Sequence, residues 1–148
     1  MAFHFSLQSL LRLRRSYEHR EKLRLAAINR QILQVRQQID SLAQEKMAAR
    51  YRLGRNLDRG MRGAEFREAE CFEMVLASRQ EFLAQQMMKL EHLRREQQRL
   101  CEKAWQQCKI LENLKDRQER LYCQERARHE QDVADELYLV RSRIMPPS

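Results

Sequence analysis

The chain has 148 residues, 34% of them charged and 43% hydrophobic, with three glycines, two prolines and a formal net charge of +8. So few turn formers exclude a compact α/β or all-β domain, which needs a turn about every ten residues. The excess of Arg, Leu, Glu, Gln and Ala belongs to long helices and coiled coils rather than to a disordered chain.

The first residues, Met-Ala-Phe3-His4-Phe5, lack the apolar core of a signal peptide, and no charge-free stretch is long enough to span a bilayer. Both observations predict a cytoplasmic protein. Ser6 then offers a helix N-cap. From it a stripe runs at alternating steps of three and four: Leu7, Leu11, Arg14, Glu18, Glu21, Leu25, Ile28, Ile32, Val35, Ile39, Leu42, Lys46, Ala49 and Leu53. From Leu25 to Leu42 every stripe position is apolar, which is the heptad signal of a coiled coil. This predicts a first helix over about residues 6–57. All the excess charge lies here: residues 1–60 carry thirteen Lys and Arg against five Asp and Glu, whereas residues 61–148 carry sixteen of each. Such an Arg-rich strip suits nucleic acid, an anionic membrane or an acidic protein, although a solvated helix face explains any single Arg.

All three glycines, Gly54, Gly60 and Gly63, cluster at one place, and Pro146 and Pro147 stand at the far end. One turn at about 58–64 and a second helix over about 65–143, stopped by Pro146, follow. Its stripe reads Phe66, Ala69, Phe72, Leu76, Leu83, Met87, Leu90, Leu93, Gln97, Leu100, Ala104, Leu111, Leu114, Gln118 and Leu121. The expected fold is all-α, a single long antiparallel two-helix coiled coil with a protruding C-terminal helix end.

A turn near residue 61 sets a register in which partner numbers add to about 122. Ile39 then faces Leu83, Val35 faces Met87, Ile32 faces Leu90 and Ile28 meets Leu93, while Leu25 opposite Gln97 is a mismatch. Tyr17 is placed against Trp105. The agreement of apolar blocks favours an intramolecular hairpin, a monomer when free. Because the second helix is longer, residues from about 119 to 143 overhang as a lone helix about 35–40 Å long, and exposed apolar residues on it want an external partner.

No phosphate-binding, nucleophile-elbow or HExxH motif occurs. The four histidines are scattered, so no metal site is expected. Cys71, Cys101, Cys108 and Cys123 form no CxxC pair and read as buried reduced thiols. A thin helix pair offers no pocket in which to tune a pKa. The expectation is a chain that is not an enzyme and uses no cofactor or small-molecule ligand.

The opening Phe3-His-Phe5-Ser-Leu7-Gln-Ser-Leu10-Leu11-Arg-Leu-Arg14, with Glu18 and Leu25-Ala26, resembles the start of the flagellar export protein FliJ family. So does the later Leu111-Glu112-Asn-Leu114-Lys115-Asp-Arg117 with Tyr122, Glu125 and Asp135-Glu136. The resemblance covers the whole chain. It implies a non-enzymatic part of the flagellar type III export apparatus, similar in form to the gamma stalk of rotary ATPases. Such a stalk inserts into the export ATPase ring, promotes its hexamerisation, and meets the cytoplasmic domain of the export gate and export chaperones. It implies a location peripheral at the cytoplasmic face of the inner membrane. By the resemblance, Arg12, Arg14, Arg15, Lys115, Arg117 and Arg120 would face the ATPase, and Gln38, Leu42, Phe72 and Leu76 the gate. Glu45 and Ala49 stand where the family can show aromatics. The rival readings are a basic coiled coil that binds nucleic acid through residues 12–62, and a structural spacer. The Arg strip lacks the interleaved aromatics that base stacking needs, so the expectation is no nucleic acid.

Overall fold

The computed structural model of the chain describes residues 2–144. Two helices account for nearly all of them: α1, Gln8–Arg59, and α2, Gly63–Ile144. They pack against each other as an all-α hairpin, with no strand among the described residues. Pro146, the expected stop of the second helix, lies outside the described residues. By contact density the chain divides into two compact units, Met1–Glu18 with Lys103–Ser148 and, separately, His19–Glu102.

The His19–Glu102 unit contains the turn. α1 continues to Arg59 because nothing before Gly60 breaks it, and Gly60 then takes φ +87°, a left-handed conformation that only glycine adopts at little cost. Its N–H donates to the Leu57 carbonyl at 3.2 Å, closing the helix end. Only Gly60, Met61 and Arg62 separate the two helices, and the Phe66 N–H reaches back to the Arg62 carbonyl at 3.1 Å to start α2. The turn is thus tighter than the glycine spacing suggests, since Gly54 and Gly63 are both accommodated within helix. Ile32, Val35, Leu42 and Leu76 are buried between the helices, with Leu25, Ile28, Ile39, Leu83, Met87 and Leu90 half-buried beside them. Lys46 Nζ donates to Gln80 Oε1 at 3.0 Å, and Arg50 pairs with Glu73 at 3.6 Å. These contacts run antiparallel.

Leu93 was expected on this seam, but it is 46% exposed and Arg94 is half-buried in its place. Leu100 and Leu121 likewise face outward, with Cys101 and Tyr122 inward. The reason is the phase of the heptad. From Leu90 to Gln97, three-then-four and four-then-three both close seven residues, and α2 keeps the second. Its inward positions run Leu83, Met87, Leu90, Arg94, Gln97, Cys101, Ala104, Cys108, Leu111, Lys115, Gln118 and Tyr122. Leucines on the outer phase lose less than the helix would lose by rewinding. Gln97 itself is buried, and its amide donates to the Glu21 backbone carbonyl at 3.1 Å and to the Glu21 carboxylate. Arg24 Nη1 meets the other oxygen of that carboxylate at 3.1 Å. The mismatch expected with Leu25 is therefore resolved by a shift of one helical turn to a polar partner.

The second unit joins the chain's two ends. α1 begins at Gln8 rather than Ser6, because the Gln8 N–H bonds to the Phe5 carbonyl at 3.2 Å and a backbone turn replaces the expected side-chain cap. Phe5, Leu11, Ala104 and Cys108 are buried. The Phe3 ring lies 5.6 Å from that of Tyr122, tilted by 48°. Tyr17 and Trp105, placed opposite each other by the register, are 42% and 53% exposed. Eight apolar residues are buried among the described residues, only Leu11, Leu76 and Cys108 fully so, against helices 52 and 82 residues long. At about 1.5–3 kcal/mol for each large one, this is a thin core, and the helices owe their stability to the seam they share.

Candidate functional site

Among the described residues no three His, Cys, Asp or Glu side chains are grouped to hold a metal ion, and no helix is long and apolar enough to cross a membrane. What the chain offers chemically is surface, concentrated at the end of each unit.

At the paired chain ends, the six basic residues expected to face a partner divide into two sets. Arg12, Arg117 and Arg120 are exposed. Arg117 and Arg120 line a shallow concavity with Asn113, Asp116, Leu121 and Gln124. The other three serve the helix pair. Arg14 Nη1 donates to Gln107 Oε1 at 2.8 Å, Arg15 Nε lies 3.4 Å from Glu112 Oε1, and Lys115 is half-buried on the seam. Glutamine and glutamate on α2 thus hold two arginines along the rod, while three stay free for charge-assisted bonds to an outside carboxylate.

Beyond Tyr122 no described residue covers α2: residues 123–144 are exposed without interruption. The overhang starts a few residues later than the register alone predicts, because the segment carrying Phe3 and Phe5 extends the pairing past the start of α1. Its apolar stripe is Val133, Leu137, Val140 and Ile144, at steps of four, three and four. Within it Arg126 Nε meets Glu130 at 3.3 Å and the Gln131 amide donates to Asp135 at 3.0 Å. Both are i,i+4 pairs that stiffen an unsupported helix by a few tenths of a kcal/mol each.

The cysteines differ from the expectation of four buried thiols. All are free, but Cys71 and Cys123 are exposed and Cys101 is intermediate. Only Cys108 is enclosed, at 2% exposure. Burial first, then a hydrogen bond to the Glu18 carboxylate, pushes its thiol from the ordinary 9.0 up to about 11. It is a packing group, held protonated and inert near neutral pH.

Near the turn, the four residues expected at the gate also divide. Leu42 and Leu76 are buried in the seam, whereas Gln38 and Phe72 are exposed. Phe72 borders a cleft of about 470 Å³ between Leu53, Met61 and Ala69, rimmed by Lys46, Arg50, Arg52, Glu65 and Glu68. Gln38 borders a second, on the same unit, with Gln34, Gln37, Arg79 and Phe82. The Phe3–Tyr122 and Glu21–Gln97 contacts were missed by the sequence reading. Their numbers add to 125 and 118, close enough to 122 to have been found by allowing one helical turn of slack.

A family model described as "Flagellar FliJ protein" matches residues 3–143. No protein of curated function and no solved structure matches the chain.

Proposed function

The chain belongs to the FliJ family of flagellar export proteins, and from that premise we propose that it is a non-catalytic stalk of the flagellar type III export apparatus. It works in the cytoplasm, peripheral at the cytoplasmic face of the inner membrane. The observation that carries this reading is the end of the Met1–Glu18 and Lys103–Ser148 unit. There a paired base gives way to a single exposed helix, residues 123–144, with unengaged Arg12, Arg117 and Arg120 at its root. A part that must enter a protein ring and move within it needs a slender tip and long-range attraction more than a tight interlock. The tip and its arginines enter the export ATPase ring and promote its hexamerisation. The turn end meets the cytoplasmic domain of the export gate through Gln38 and Phe72, with Leu42 and Leu76 acting from beneath as the packing that holds that surface in place. Export chaperones are further partners.

The test is to add the purified chain to its cognate export ATPase and follow hydrolysis and ring formation. Stimulation that falls at least tenfold when Arg12, Arg117 and Arg120 are replaced by Glu supports the reading. A full-length, folded chain that neither stimulates hydrolysis nor favours the hexamer removes it and leaves a structural spacer.

A further inference from the structure

The turn end of the His19–Glu102 unit concentrates charge in a way the stalk role does not use. Residues 50–67 hold six arginines, Arg50, Arg52, Arg55, Arg59, Arg62 and Arg67, against two acids, Asp58 and Glu65. All six arginines are exposed. Arg50 is paired with Glu73, but among the described residues the other five form no ion pair. Elsewhere among the described residues, Arg15, Arg24 and Arg126 are each matched by a carboxylate and Arg12, Arg117 and Arg120 are not, so what sets the turn end apart is the density of unpaired arginine within eighteen residues. Arg52, Arg55 and Arg59 follow one another at steps of three and four, so they share one flank of α1, and Arg62 continues them into the turn. The same end also exposes apolar groups: Tyr51 at 66% next to the arginine flank, Leu57 at 51% on the opposite side of α1, and Phe66 at 38% at the start of α2. The Arg55 guanidinium lies 5.7 Å from the Tyr51 ring centroid, which holds both side chains outward as one cationic and aromatic unit.

We propose that this turn end docks on an anionic phospholipid surface, with Arg52, Arg55, Arg59 and Arg62 on the lipid phosphates and Tyr51, Leu57 and Phe66 in the headgroup layer. Unpaired guanidinium groups next to exposed aromatic and aliphatic side chains are what an interfacial surface combines. Guanidinium also matches phosphate geometry, giving two parallel hydrogen bonds per group. Nucleic acid accounts for the arginines and for a stacking ring at Phe66 but not for the aliphatic Leu57. It also wants free ring faces for stacking, and the one tyrosine here is engaged by Arg55. An acidic protein patch accounts for the arginines but not for the exposed Tyr51, Leu57 and Phe66, and the cleft beside Arg50 and Arg52 is itself rimmed by Glu65 and Glu68, which would repel it. The inference is separate from the ATPase contact and shares the turn end with the proposed gate contact of Gln38 and Phe72, but it uses other side chains and needs no protein partner.

The experiment is co-flotation of the full chain with vesicles, either pure phosphatidylcholine or 70:30 phosphatidylcholine and phosphatidylglycerol, at low and near-physiological salt. The expected result is binding to the anionic vesicles alone, weakening as salt rises. Arg52→Gln, Arg55→Gln and Arg59→Gln together lower the partition coefficient roughly 100-fold. The matched set Arg126→Gln, Arg128→Gln and Arg141→Gln, at the opposite end of α2, leaves it within about threefold. Circular dichroism confirms that both sets stay helical, as substitution of exposed side chains predicts. Leu57→Ser with Phe66→Ser keeps the charge and lowers the partition coefficient several-fold. Equal binding to neutral vesicles, no binding at low salt, or equal losses from the two arginine sets overturns the proposal. So does a duplex DNA that binds more tightly than the anionic vesicles at the same salt through the same three arginines.

Discussion

Cys108 and Gln97 show how single seam residues set measurable behaviour. Below pH 9 the Cys108 thiol is protonated in folded and unfolded chains alike, so the full stability is present. Above 9.0 the unfolded thiol ionises while the folded one holds its proton up to about 11. Stability is therefore lost as pH rises through that window, by up to about 2–3 kcal/mol. Melting temperatures recorded from pH 8 to 11 should fall more steeply for the native chain than for Cys108→Ala. In a labelling experiment at pH 8, Cys71 and Cys123 should react with a thiol reagent first and Cys108 last. Gln97 carries the other residue-scale expectation. Its amide satisfies both the backbone and the side chain of Glu21 inside the seam. Gln97→Ala removes the seam donor and leaves the Glu21 carboxylate to Arg24 alone, which should cost about 1–2 kcal/mol in urea unfolding. A buried polar pair of this kind also resists sliding of one helix along the other. The sequence offered Gln97 as a defect, because a polar residue among apolar ones shows its cost in pattern but not its partner.

At the scale of the elements, the turn and the seam can each be broken separately. Among the described residues Gly60 alone carries a positive φ, so Gly60→Ala should lower stability by about 1 kcal/mol without changing helix content, whereas the same change at Gly54, inside α1, should raise it slightly. Nothing lies within 4 Å of a Cβ at either position, which leaves backbone conformation as the only cause of the difference. Ile32→Asp places a carboxylate at a buried seam position. It should cost several kcal/mol and remove much of the helical circular dichroism signal, because the helices have no other support. An unchanged melting curve would mean that Ile32 is not in the seam. The stripe on α1 was legible because its apolar residues alternate at three and four with few competitors. On α2, leucines at 93, 100 and 121 compete with Arg94, Cys101 and Tyr122, and a reading guided by hydrophobicity follows the leucines. Packing follows the helix phase instead, since one continuous helix cannot change face for each leucine.

For the whole molecule, the all-α hairpin could be read from three clustered glycines and one heptad pattern, since nothing else in the chain can turn it. The family could be read from motifs at both ends, and a match over residues 3–143 establishes it. The candidate surfaces were harder. Charge and spacing single out arginines near the chain ends, but whether each is spent on a neighbour depends on side-chain geometry. Arg14 and Arg15 are held by Gln107 and Glu112, and Arg12, Arg117 and Arg120 are not. Leu42 and Leu76 share a face with exposed neighbours in sequence, and only packing reveals that they are covered. The arginines at the turn are dense in the sequence, and only side-chain geometry shows that Arg50 alone among them is paired, with Glu73. The central claim is that the exposed end of α2 engages the ATPase ring while the paired helices beneath it carry the fold. Truncation after Tyr122 tests it most directly, with hydrolysis and ring formation by the cognate export ATPase measured alongside the melting temperature of the chain. The account predicts an almost unchanged melting temperature and a loss of most of the stimulation. Full stimulation by the truncated, folded chain would contradict it.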